Sequence, residues 1–79
     1  MSILPAQCRA ARALVDMGQS VLARRAVVSR DTIVDFENGS RAPIASNLVA
    51  IRTALEAAGV IFIDENDEGP GVRLRKKWP

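Results

Sequence analysis

The chain has 79 residues, 48% of them hydrophobic and 25% charged, with 11 basic side chains against 9 acidic ones and no histidine. That length allows one small domain, which buries only about 60% of the surface its unfolded chain exposes. A single cysteine, Cys8, leaves no internal disulfide, and the lack of histidine excludes the usual zinc sites and the Ser–His and Cys–His nucleophile pairs.

No stretch approaches the ~18 apolar residues that a membrane helix needs. The N-terminus lacks a basic region followed by an apolar run, so nothing reads as a signal peptide. The expectation is a soluble, cytoplasmic protein with no cofactor, no metal and no membrane partner. The charge is unevenly spread. Residues 1–43 carry six arginines and four acids, residues 44–68 one arginine and five acids, and residues 69–79 four bases and no acid. Such a distribution suits basic ends that face nucleic acid and an acidic middle that points away.

Along the chain, Pro5 suits a helix's first turn, where its missing N–H costs nothing. Cys8, Ala11 and Val15 then recur at helical spacing, which predicts a first helix running to about Met17 and broken by Gly18. A second helix, Gln19 to Ala26, sets Leu22, Ala23 and Ala26 on one face. Val27-Val28-Ser29 interrupts the period. Ser29 is a good N-cap, because its hydroxyl accepts from backbone N–H groups of the next turn. Asp31 in that turn is favoured by the helix dipole. The third helix buries Ile33 and Phe36 and stops at Asn38-Gly39, a left-handed C-terminal signal.

Beyond Pro43, Ser46 is placed to cap a fourth helix with Leu48, Ile51, Leu55 and Ala58 as its apolar stripe and Gly59 at its end. Val60-Ile61-Phe62-Ile63 is a short β-branched run, Asp64 to Gly71 a polar loop, and Val72-Arg73-Leu74-Arg75 alternates apolar and basic. These segments predict a two-stranded hairpin with Val72 and Leu74 on the core side. A hairpin is barely stable alone, so it must pack on the helices, pair across a dimer, or both.

Two helices of eight to nine residues joined by a three-residue turn are the sequence form of a helix-turn-helix, although unrelated bundles share it. Ala23 is small where the two helices approach. Leu22, Ala26, Val28, Ile33 and Phe36 are apolar where the pair buries a face, which leaves Ser29, Arg30, Asp31, Val34 and Asp35 outward. Arg12 shares a face with Cys8, Ala11 and Val15, and Glu37 adjoins Phe36. Unpaired burial of either ion would cost several kcal/mol, roughly. Either the two meet and tie the first helix to the third, or each reaches solvent from the edge of its stripe.

Taken together, Gln19…Leu22-Ala23…Val28-Ser29…Ile33…Phe36-Glu37-Asn38-Gly39…Arg41…Pro43, followed by Leu55 and Gly59-Val60, resembles the Cro/C1-type (XRE) helix-turn-helix family over roughly residues 7–59. The resemblance implies a mainly α, lambda-repressor-like four-helix domain over residues 1–59; residues 60–79, read from their own pattern as a hairpin and basic tail, are expected to mediate dimerisation. It implies that Gln19 bonds a DNA phosphate and that Arg12 and Glu37 form a buried ion pair. Ser29, Arg30, Asp31, Thr32, Val34 and Asp35 then occupy base-facing positions, and Asn38 to Arg41 contact the far strand's backbone. Arg30 suits guanine O6 and N7, Asp31 and Asp35 can accept from cytosine N4, and Val34 can touch a thymine methyl. The bland readings are a solvated arginine, a dipole-favoured acid and a stray apolar residue. Arg24 and Arg25 read as solvent-facing.

Three departures stand out. Val27 replaces the family's usual turn glycine at a position that often takes positive φ, Gly18 replaces a capping Ser or Thr, and a hairpin replaces the fifth helix. The basic tail Arg73 to Lys77 either touches phosphate or is solvated, and Trp78 either packs back or stays free. The leading expectation is a transcriptional regulator that binds a two-fold symmetric operator on double-stranded DNA as a homodimer, since one module contacts too few bases to specify a site. The alternatives are an antitoxin-type protein that also binds a toxin, or a protein-interaction module without DNA binding that meets a partner such as an anti-regulator. With no histidine and no clustered carboxylates, an enzyme is not expected.

Overall fold

Four helices and a β-hairpin follow one another in the computed structural model, which describes residues 2–76. They are α1 (Pro5–Leu14), α2 (Gln19–Ala26), α3 (Arg30–Glu37), α4 (Ala45–Ala57), β1 (Val60–Ile63) and β2 (Gly71–Leu74). The predicted roles of Lys77 and Trp78 lie outside the described residues. Among the described residues no helix is long and apolar enough to cross a membrane.

Three of the helices end in the same turn. After each, one residue is left-handed, its N–H bonds the carbonyl three residues back, and the next N–H bonds the carbonyl five back. At α1 the left-handed residue is Asp16 (φ 52°), with Met17 N–H donating to the Arg12 carbonyl at 2.9 Å. At α2 it is Val27 (φ 58°), with Val28 N–H to the Ala23 carbonyl at 3.0 Å. At α3 it is Gly39 (φ 79°), with Ser40 N–H to the Asp35 carbonyl at 2.9 Å. Only the last uses glycine.

The first of these turns corrects the expected end of α1. The helix stops at Leu14, not near Met17, because Asp16 turns left-handed and sends Met17 into the core. Gly18 breaks nothing; it is the N-cap of α2, in extended conformation and without a capping side chain. Ser46 is likewise not a cap. Ile44 holds the N-cap position of α4 and accepts from Leu48 N–H at 3.0 Å, which leaves Ser46 exposed in the first turn. Ser29 does cap α3, accepting from Thr32 N–H at 3.1 Å.

One core draws on every helix and on β1. Cys8 and Ala11 of α1, Leu22, Ala23 and Ala26 of α2, Ile33 and Phe36 of α3, Ile51 and Leu55 of α4, and Val60 and Phe62 of β1 are all buried, with Ile3 and Met17 from the flanking segments. Each fully buried Leu or Ile contributes about 1.5–3 kcal/mol. Val28, Leu48, Ala58 and Val72 pack at its margin.

The hairpin is antiparallel, in the register Val60↔Leu74, Ile61↔Arg73, Phe62↔Val72 and Ile63↔Gly71. Its strand β2 packs against α1 and its strand β1 against α4. Gln7 fastens it. This buried amide donates to the carbonyls of Ile63 (3.2 Å) and Gly71 (3.0 Å) while its oxygen accepts from Leu4 N–H (2.8 Å). On the other side Arg52 lies over the Phe62 ring, 5.3 Å from the centroid, and reaches Glu56 at 3.1 Å and Asp64 at 3.7 Å. Leu74 faces the core side like Val72, but at the open end of the sheet it stays 45% exposed.

Val27 yields a direct test. Its side chain is 88% exposed, so truncation removes almost no packing, while a β-branched residue at φ 58° is strained. The left-handed cost of about 1–2 kcal/mol exceeds glycine's extra entropy of roughly 0.5–1 kcal/mol. Val27→Gly is expected to raise Tm by a few degrees, on the scale of about 4–8 °C per kcal/mol for a domain this size. A thermal melt with Tm unchanged or lowered would mean that the turn is not left-handed at this residue.

Candidate nucleic-acid interface

The Glu37 carboxylate at the end of α3 organises the site. It is only 4% exposed and accepts four hydrogen bonds. Arg12 grips it with two, Nε to Oε2 and Nη2 to Oε1, both 2.7 Å. The Cys8 thiol donates to Oε2 at 3.1 Å and the Gln19 amide to Oε1 at 3.1 Å. The remaining Arg12 nitrogen donates to the Met17 carbonyl at 3.0 Å, at the α1 turn. Arg9 donates to the Glu37 main-chain carbonyl, a cation at a helix C-terminus, where the dipole favours it. One carboxylate thus ties together α1, the start of α2 and the end of α3.

The electrostatics follow from these contacts. Burial alone would raise the Glu37 carboxyl, but the hydrogen bonds from Arg12, Cys8 and Gln19 outweigh it and hold the group below the ordinary carboxylate range. The hydrogen bond to Glu37 raises Arg12 further. Burial, then the Glu37 hydrogen bond and charge, push the Cys8 thiol well up, which keeps it a donor. Cys8 and Arg9 are the contributors that sequence reasoning missed. The available signal was position: Cys8 sits one helical turn before Arg12.

The other predicted residues gather around α3. Ser29, Arg30 and Asp31 are exposed at its N-terminus, and Val34 and Asp35 are half-buried one turn on. Thr32 is half-buried and committed to the cap, with its hydroxyl 2.8 Å from that of Ser29. Asn38 is turned back on its own loop, where Oδ1 accepts from Ser40 N–H at 2.8 Å and also from the Ser40 hydroxyl. Gln19 has one amide hydrogen on Glu37, and its Oε1 lies 3.5 Å from Arg30 Nη2, so a second amide hydrogen remains for another acceptor. Arg24 and Arg25 are exposed in the last turn of α2.

Between α3 and the 41–44 loop lies an open cleft of about 230 Å³, lined by Ser29, Asp31, Thr32 and Asp35 on one side and by Arg41, Pro43, Ile44 and Asn47 on the other. Arg41 is exposed and anchored through its main chain, its N–H donating to the Asp35 carbonyl at 3.3 Å. Asp31 and Asp35 stand one turn apart, and among the described residues neither has an ion-pair partner. Like charges at this spacing repel by a few tenths of a kcal/mol, roughly. No family model and no curated protein matches this chain.

Removing one partner of the buried pair strands the other's charge. Arg12→Met is therefore expected to cost about 3–5 kcal/mol in urea unfolding, and the double variant Arg12→Met/Glu37→Leu distinctly less. Because the folded-state pKa of Glu37 is depressed, its contribution is fully present above the unfolded carboxylate value and is lost as pH falls through the folded one. Unfolding of Glu37→Gln followed from neutral to acid pH should accordingly show a shallower loss of stability than the unmodified chain. Parallel curves would remove Glu37 as the source.

Proposed function

We propose that this chain is a helix-turn-helix DNA-binding regulator of the Cro/C1 (XRE) kind, which binds a two-fold symmetric operator as a homodimer with α3 in the major groove. The observation that carries this reading is the stance of α3. One side is locked into the core by Ile33, Phe36 and the Glu37 network, while its N-terminal residues Ser29, Arg30 and Asp31 stand exposed, with Val34 and Asp35 one turn behind. A helix held at its base and bare at its N-terminus is what base-edge contact requires.

Roles follow from chemistry. The Arg30 guanidinium can bond guanine O6 and N7 in bidentate fashion, and Asp31 or Asp35 can accept from a cytosine amino group. Gln19 and Arg41 flank α3 and are suited to phosphates, which position the helix without reading sequence. Asp31 and Asp35 also oppose indiscriminate phosphate contact. The same pair of unpartnered carboxylates favours the second reading, a module whose α3 face meets a basic protein surface, as an antitoxin's would.

The test is binding to the DNA upstream of the chain's own gene, compared with a shuffled duplex across a salt series. Preference for the native duplex that persists at physiological salt, weakens about tenfold or more with Arg30→Ala, and shows two protomers per site is the expected result. Arg41→Ala should weaken both duplexes alike and lower the salt slope by about one. Equal, steeply salt-dependent binding would reduce the interaction to phosphate contact. No binding at low salt would shift the assignment to the protein-interaction reading.

A further inference from the structure

The C-terminal end of α3 is poor in free donors. Every main-chain N–H of the turn that follows is spent inside it: Asn38 on the Val34 carbonyl, Gly39 on Phe36, and Ser40 and Arg41 on Asp35. The Ser40 hydroxyl is spent too, on Asn38 Oδ1. The helix dipole adds a partial negative charge of about half an electron here, which repels a phosphate. Contact with a DNA backbone at this end must therefore come from side chains, and a cation is needed to reverse the sign. Arg9 of α1 is placed to supply it. Its guanidinium donates to the Glu37 main-chain carbonyl, in the peptide that leads into Asn38. A guanidinium has five N–H donors, and this contact takes one of them. Arg9 is exposed, and among the described residues it has no ion-pair partner. The Glu37 carboxylate is already neutralised by Arg12, one helical turn further along α1. Arg9 thus leaves a fixed, uncompensated positive charge at the base of α3.

We propose that Arg9 binds a phosphate of the DNA backbone, on the same strand that Gln19 touches, and so anchors the C-terminal end of α3. The inference rests on the DNA-binding reading above. Glu37 is what brings the two donors together. Its carboxylate holds the Gln19 amide at 3.1 Å and its main-chain carbonyl holds Arg9, so both side chains hang on one residue. Arg41 does not belong to this group, because it lines the cleft on the Asp31 and Asp35 side of α3. The flanks of α3 are therefore served by different cations, Arg9 beside Gln19 on one and Arg41 on the other. Phosphate contacts carry no sequence information, but they set register and orientation. With the base of the helix fixed in this way, Arg30 at its N-terminal end is left to read bases.

Salt dependence separates this role from a merely structural one. Arg9→Gln keeps a donor for the Glu37 carbonyl but removes the charge, and a thermal melt checks that the fold is retained. The variant should weaken binding to the chain's own upstream DNA and to the shuffled duplex alike. It should also lower the slope of log K against log salt by about 0.9. Arg9→Lys should restore that slope, and Arg25→Gln, in the separate cleft beside Asp16 and Ala58, should leave it unchanged. Duplexes with one phosphate at a time replaced by a neutral methylphosphonate then locate the contact. The position whose neutralisation no longer matters to Arg9→Gln should coincide with, or adjoin on the same strand, the position that no longer matters to Gln19→Ala. If the unmodified chain binds DNA and Arg9→Gln leaves the slope unchanged, the inference is overturned and the DNA-binding reading stands. A silent position on the opposite strand has the same consequence. If the unmodified chain binds neither duplex even at low salt, both readings fall together.

Discussion

The mutual placement of the first three helices depends on one buried carboxylate. Glu37, at the end of α3, sits where α1, α2 and α3 converge, and its carboxylate accepts four hydrogen bonds from two other stretches of chain, one from Cys8 and two from Arg12 in α1 and one from Gln19 at the start of α2. Ionic burial of this kind rarely adds stability over a well-packed apolar core. Its value lies in uniqueness, because a bidentate guanidinium–carboxylate contact admits one orientation, whereas apolar faces tolerate sliding. The angle of α3 against α1 is set there, and with it the surface that α3 presents.

A second constraint is the repeated helix ending. Asp16, Val27 and Gly39 each adopt a left-handed conformation and each reverses the chain within two residues. Asp tolerates this conformation through its short polar side chain, and glycine does so without steric cost, but valine does not. The surrounding packing imposes it: Ala26 and Val28 on either side are drawn inward while Val27 is left almost wholly in solvent. Strain at Val27 is thus offset by burial of its neighbours.

The hairpin is attached by different physics. Gln7 spans the two strands where their register ends, and Arg52 stacks on Phe62 while pairing with Glu56 and Asp64. Phe62 and Val60 join the core directly, so β1 is an integral wall of the domain. The strand β2 is held mainly through β1 and α1 and remains open on its far side. The fold therefore leaves two surfaces uncommitted on separate elements, the N-terminal part of α3 and the outer edge of β2.

Much of this was legible in the residues. Helical periodicity locates the four helices, Ser29 marks the start of α3 and Gly39 its end, and a β-branched run followed by an apolar–basic alternation locates the hairpin to within a residue. These signals are local, carried by side chains acting on their own backbone. The errors were local too: Asp16 gave no sign that it would end α1 early, and Ser46 looked like a cap that Ile44 pre-empted. Arg12 and Glu37 are opposite charges beside apolar stripes, a pattern that pairing would satisfy. Their four-bond network, the clasp of Gln7 on the hairpin and the exposure of Leu74 could not be read, since each joins residues far apart in sequence. By itself the sequence determined which segments are helical or extended and which faces are apolar, because backbone sterics and burial act over a few residues. Only the tertiary structure decided which polar groups are consumed inside and which remain on the surface, because a buried hydrogen bond needs its partner within about 3 Å, and that distance is set by the packing of the whole chain.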